Sequence, residues 1–255
     1  MSKLKLDSIA IDSPDPAATA KFYGELLGVE VRGDWVNPYG DDTEIWFQGV
    51  EDYQAPTWPT QERGQMAHLE FVTNDIEAAA KHAESIGAKR AEFQPGMDEP
   101  EGAWTVMLDP IGHPFCLCPP FDNVEPKLTP AQREQDVWIS LAAIDFDTGN
   151  GEELWQFYRL LGELEMQDVN GFAPALVADS GIMVLIQQVE NYTPPTWPTQ
   201  ERGQQIHIDF HTADRDRHVE RAIELGATFQ EKEKGFTVLL DPAGHPFCIC
   251  VDNEA

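Results

Sequence analysis

The sequence predicts an α+β protein built from four copies of one strand–helix–three-strand unit. Three observations carry that expectation. The ten residues PTWPTQERGQ at 56–65 return unchanged at 195–204. Their flanks repeat as well, residues 44–71 aligning with 183–210 at an offset of 139, and residues 108–118 with 240–250 at an offset of 132. Within each half, two strand-then-helix openings are each followed by short alternating segments punctuated by Gly, Pro, Asp and Asn.

The elements follow in order. LDSIAIDSP reads as a strand, after which Asp15 caps a helix, Pro16 suits its first turn and Gly28 its left-handed stop. The second unit repeats the plan: HLEFVTND is a strand, Asp75 a cap, and IEAAAKHAESIG a helix ending at Gly87. Ile76, Ala80 and Ala83 place an apolar stripe at helical spacing on it. In the second half, FYRLLG at Phe157 mirrors FYGELLG at Phe22, and Asp214 precedes a helix stopping at Gly226. DPIG and DPAG are turn sequences, with Pro second and Gly where positive φ is needed. The proline-rich stretch PPFDNVEPKLTPAQREQ reads as a connection, giving domains at 1–120 and 136–255 joined by a linker at 121–135.

Composition narrows the function classes. The formal charge is −28, from 45 acidic against 17 basic residues, which argues against nucleic acid and anionic membranes as partners. An apolar share of 42% suffices for real cores. No run of eighteen apolar residues occurs, and the first residues lack the apolar stretch of a signal peptide. The cysteines form two Cys-x-Cys pairs, Cys116/Cys118 and Cys248/Cys250, whose members point the same way along a strand and bridge to each other poorly. A reduced, cytoplasmic protein is expected.

The strand–Asp–helix–LG pattern together with DPxGHPFCLC resembles the vicinal oxygen chelate superfamily of glyoxalase I, bleomycin-resistance proteins and extradiol dioxygenases. The likeness covers nearly the whole chain and is nearest to the glyoxalase-like domain branch. It implies an α+β fold of two tandem glyoxalase-like domains, each of paired βαβββ modules forming a cup-shaped mixed sheet with helices outside. One cup per domain is the expectation.

Strand alternation then assigns faces. His68 and Glu70 point into the first cup, and His207 and Asp209 into the second. Cys116 and Cys118 share a face opposite Phe115 and Leu117. Trp46 and Gln48 share another, with Leu185 and Gln187 as their counterparts. The resemblance implies metal ligands on the first strand of a module and a last-strand Glu. His68 and His207 stand seven residues before Asp75 and Asp214, in the first-strand place. That place holds Ser8 in the first module and falls near Leu141 in the third, while the usual Glu is Cys116 or Cys248. A divalent metal, if bound, would rest on His68, Cys116, His207 and Cys248; the competing reading has the histidines hydrogen-bonding in a metal-free polar pocket. Trp58 and Trp197 are candidates to close the cup mouths, and Arg63 and Arg202 to hold an anionic ligand, against a reading of the repeated loop as a stiff crossover.

Three functions compete. The first is metal-free binding of a small, partly aromatic molecule by Trp46, Gln48, Trp58, Arg63, Cys116, Gln187, Trp197, Arg202 and Cys248. The second is a lyase, isomerase or oxidoreductase with His68 and His207 as ligand or base and Glu70 and Asp209 as partners. The third is a scaffold with vestigial cups, which predicts cups filled by their own side chains. Serine-hydrolase, P-loop and dinucleotide-binding signatures are missing. The first reading is preferred, with no cofactor expected and homodimerisation left open.

Overall fold

The computed structural model describes residues 3–40, 43–60, 62–95, 104–167, 175–203 and 205–251. Four modules run in chain order. The first comprises β1 (Lys5–Ser13), α1 (Pro16–Leu27), β2 (Val31–Arg32), β3 (Trp35–Val36) and β4 (Glu44–Gly49). The second holds β5 (Ala67–Thr73), α2 (Ile76–Ser85), β6 (Lys89–Arg90), β7 (Thr105–Leu108) and β8 (Pro114–Cys118). A one-turn helix, α3 (Pro130–Arg133), lies in the connection. The third module comprises β9 (Ile139–Thr148), α4 (Gly151–Leu161), β10 (Glu165–Gln167), β11 (Ala175–Val177) and β12 (Met183–Gln188). The fourth comprises β13 (Ile206–Thr212), α5 (Arg215–Glu224), β14 (Thr228–Lys232), β15 (Phe236–Leu240) and β16 (Pro246–Val251). The loop at 96–103, where the first half is longer than the second, lies outside the described residues.

Local chemistry explains the helices. Asp15 and Asp75 accept hydrogen bonds from Ala18 N and Ala78 N, satisfying otherwise orphaned first-turn donors, and Gly28 ends α1 at φ 65°. Asp214 precedes α5 as expected but makes no side-chain cap bond. Asn150 caps α4.

The modules do not pair as the halves suggest. One eight-stranded sheet runs β14-β15-β16-β13-β1-β4-β3-β2, joining modules one and four; the other runs β10-β11-β12-β9-β5-β8-β7-β6, joining two and three. Paired βαβββ modules form both mixed sheets, but each sheet draws on both halves of the chain, correcting the expectation of one cup per half. The joints are antiparallel, β1 on β13 and β5 on β9.

The helix-facing backs of both sheets share one core. Tyr23 of α1 stacks on Phe47 of the first sheet at 5.3 Å and approaches Phe71 of the second at 6.2 Å. Tyr158 of α4 does the same with Phe146 at 5.4 Å and Phe210 at 6.4 Å. Each tyrosine donates its hydroxyl to a buried turn carboxylate, Tyr23 to Asp109 at 3.0 Å and Tyr158 to Asp241 at 2.8 Å. Burial holds the Asp109 carboxyl up at about 7. These bonds pin the helix of one sheet to a turn of the other, so each sequence half is stitched together across the core. Because side chains alternate along a strand, the opposite faces of the two sheets point away from that core and form the cups.

Candidate functional site

In the second sheet, the register sets Asp145 of β9 beside His68 of β5, and Ala143 beside Glu70, which in turn neighbours Cys116 of β8. A bulge after Glu70 shifts β9, so that Leu141 pairs with Phe71 and joins the core. The first-strand place assigned to Leu141 therefore belongs to Ala143, with Asp145 next along the same face. Sequence reasoning missed Asp145; counting seven residues back from the Asn150 cap would have found its strand face.

The cup built on this sheet is closed. His68, Glu70, Cys116 and Cys118 are all buried. His68 Nε2 lies 2.9 Å from Glu70 Oε1, and the Cys118 thiol donates to Glu70 Oε2 at 2.7 Å. One ligand atom from each of His68, Glu70 and Cys116 lies within 4.8 Å of the others. Val72, Val106, Ala143 and Met183 surround them, and Phe121 of the inter-half connection packs onto the same cluster, as does Trp58 of the repeated loop. The vestigial-cup reading predicted such filling.

Electrostatics in the closed cup are uneven. Burial disfavours the His68 imidazolium, but Cys116 and Glu70 outweigh it and hold the pKa well above the usual histidine range. Burial likewise opposes ionised Glu70, yet hydrogen bonds from His68 and Cys118 bring its carboxyl below the ordinary value. Asp145 has no such support. Burial, with the Glu70 and Asp147 charges adding to it and His68 opposing, raises it to about 7. Asp145 Oδ1 and His68 Nδ1 are buried without a hydrogen-bond partner. Such orphans, beside carboxylate, imidazole and thiol donors, fit a zinc-like divalent ion, which His68, Glu70 and Cys116 could hold with Asp145 next to His68 in register.

The first sheet carries the same trio in a different setting. His207 and Asp209 of β13 and Cys248 of β16 again place ligand atoms within 4.8 Å of one another. His207 Nε2 stands 3.6 Å from Asp209 Oδ1, and Ala10 and Ser8 oppose these two residues on β1 where the closed cup has Asp145 and Ala143. Burial and the neighbouring Asp209 push the Cys248 thiol well up. Asp209, His211, Cys248 and Cys250 all keep partial solvent contact, and this cup is the open one. Its far wall is Trp46, paired with Ala10 in register and stacked on Trp35 at 5.5 Å. Leu185 takes the Trp46 place in the closed cup, opposite Asp145. Gln48 and Gln187 are exposed at the rims, donating to Asp12 at 3.4 Å and to Asp147 at 3.0 Å.

The repeated loop has one geometry in both copies. Thr57 N donates to Arg63 O and Thr196 N to Arg202 O, at 2.8 and 2.9 Å. The arginine Nε atoms donate back to Ala55 O and Pro194 O at 3.1 and 3.0 Å. Peptides Trp58–Pro59 and Trp197–Pro198 are both cis. Trp58 and Trp197 are both half-buried, and Trp58 meets Phe93 at 5.6 Å. His113 and His245 lie buried under the turns beside Asp109 and Asp241.

Comparison with known proteins agrees with this architecture. The glyoxalase-like domain family matches residues 8–118 and again 143–250. Glyoxalase I from Zea mays superposes over 98% of this chain and 93% of its own, with TM-score 0.66 and 17% identity. A putative dioxygenase from Bacillus subtilis subsp. subtilis str. 168 covers 98% and 86%, with TM-score 0.63 and 14% identity. No curated protein sequence matches the chain. With two profile matches spanning most of its length, the chain belongs to the glyoxalase-like domain family, within the vicinal oxygen chelate superfamily.

Proposed function

We propose that this protein binds a small, partly aromatic molecule in the open cup, between the Trp46 wall and the His207, Asp209 and Cys248 trio. One observation carries the reading. A His, carboxylate and Cys trio occurs twice, but only in the first sheet do its carboxylate and thiol, Asp209 and Cys248, keep partial solvent contact on a sheet that also carries a tryptophan pair, while the twin lies under Phe121 and Trp58. A stacked indole pair offers the flat apolar surface that aromatic ligands favour, and the trio supplies a few convergent polar groups. Nucleic acid is disfavoured by the charge of −28, and among the described residues no helix is long and apolar enough to cross a membrane. A cytoplasmic setting and reduced thiols fit this reading. The test is ligand-observed NMR with an aromatic fragment library: Trp46→Ala abolishes binding and His68→Ala leaves it intact. The reverse pattern would move the site to the closed cup.

A second reading is favoured by the two orphaned atoms of the closed cup: a zinc-like divalent ion held by His68, Glu70 and Cys116 beside Asp145. Once bound, such an ion supplies Lewis acidity and neutralises the buried carboxylates. His68 and Glu70 would orient it on β5, and the apolar shell under Phe121 would exclude water. Elemental analysis of protein purified without chelator decides this, stoichiometric metal in wild type and none in His68→Ala supporting the ion.

A further inference from the structure

The open cup contains a buried side chain that its twin lacks. The repeats QMAHLEF and QQIHIDF place Gln205 where the closed cup has Met66, and both residues share the same positive φ, 57° and 62°. Gln205 O accepts from Asp12 N at 2.7 Å, as Met66 O accepts from Asp147 N at 2.9 Å. Gln205 stands across from Asp12, immediately before β13 and two residues before His207, at the Asp12 and Gln48 end of the cup. It is only 1% exposed, and neither Oε1 nor Nε2 has a hydrogen-bond partner.

A buried amide with both functions unpaired is costly, whereas the methionine found in the other repeat leaves nothing unsatisfied. A structural role does not explain keeping it. A side-chain amide presents one acceptor and one donor side by side, and its complement is an edge that presents a donor and an acceptor in the same spacing. The Trp46 wall lies one row further along the sheet, beside Ala10 and His207. We infer that Gln205 is the specificity anchor of the open cup and selects a planar ring ligand carrying a carboxamide or lactam edge. The inference rests on the ligand-site reading given above. Entry of the ligand displaces the contacts that now cover the amide and replaces them with two hydrogen bonds. Discrimination is strong at such a site, because a ligand lacking the edge leaves the amide unpaired.

The test installs the residue of the other repeat, Gln205→Met, and follows melting temperature together with binding of benzamide, 2-pyridone, benzoate and toluene by ligand-observed NMR. The expected result is a melting temperature at or above wild type, at least a tenfold loss of benzamide and 2-pyridone affinity, and unchanged toluene affinity. A melting temperature several degrees lower would show the amide already paired in the native protein and overturn the inference. So would unchanged benzamide binding, or wild-type preference for benzoate. If Trp46→Ala abolishes binding of all four probes equally tightly bound by wild type, the ligand site stands and the amide-edge inference falls. If no probe binds, both fall.

Discussion

The two cups descend from one repeated design, yet four paired positions separate them. The closed cup has Asp145, Leu185, Met66 and Ala143; the open cup has Ala10, Trp46, Gln205 and Ser8 in the same places. The closed cup therefore concentrates ionisable groups under an apolar cover, and the open cup pairs a smaller polar set with an aromatic wall. The lesson concerns cost. His68 and Glu70 are buried, and His68 Nδ1 and Asp145 Oδ1 lack a partner, so the closed cup carries its desolvation cost on ionisable groups, whereas the open cup carries it on the neutral Gln205 amide.

The largest expected contrast lies in the carboxylates beside histidine. In metal-free protein, Glu70→Gln removes the partner of a buried imidazolium and costs about 3 kcal/mol. Asp209→Asn, acting on a looser and partly exposed pair, costs under about 1 kcal/mol. Urea melts of both variants check this, and equal losses would erase the distinction between the cups.

Asp145 gives the next effect and a pH signature. Its pKa rises from an ordinary 3.8 to about 7 on folding, so the folded state holds its proton more tightly than the unfolded chain. The proton-linked stabilisation is complete below pH 4 and is lost as pH rises through 7. With chelator present, Asp145→Asn is therefore expected to gain about 2–4 kcal/mol over wild type at pH 8, the advantage fading toward pH 4. Denaturation midpoints across that range provide the check, and an advantage independent of pH would contradict it.

Smaller effects belong to the features that the two halves share. Arg63→Ala and Arg202→Ala each remove one arginine bond to a loop carbonyl, and each is expected to cost about 1 kcal/mol. Thermal melts that separate the two variants widely would show that one loop has acquired a second role.

Much of the fold was legible in the sequence. Alternation placed His68 with Glu70 and Trp46 with Gln48 on the cup faces, and Asp15, Asp75 and Gly28 marked helix ends through their capping chemistry. The pairing of modules was not legible. Whether β1 meets β13 or β5 depends on edges far apart in sequence, and both alternatives satisfy the same hydrophobic pattern. Asp145 was obscured because the cap of α4 is Asn150 rather than an aspartate, so a count along β9 from any other residue lands on the wrong face. Gln205 stood in plain view opposite Met66, but its meaning depends on burial and missing partners, which only the fold reveals.

Unequal accessibility of the cups is the central claim, and thiol labelling under native conditions tests it most directly. Peptide-mapped alkylation with a small maleimide should modify Cys248 and Cys250 on the order of tenfold faster than Cys116 and Cys118, in line with their exposure. Equal rates for the two pairs, or faster labelling of Cys116 and Cys118, would contradict the assignment of one open and one closed cup.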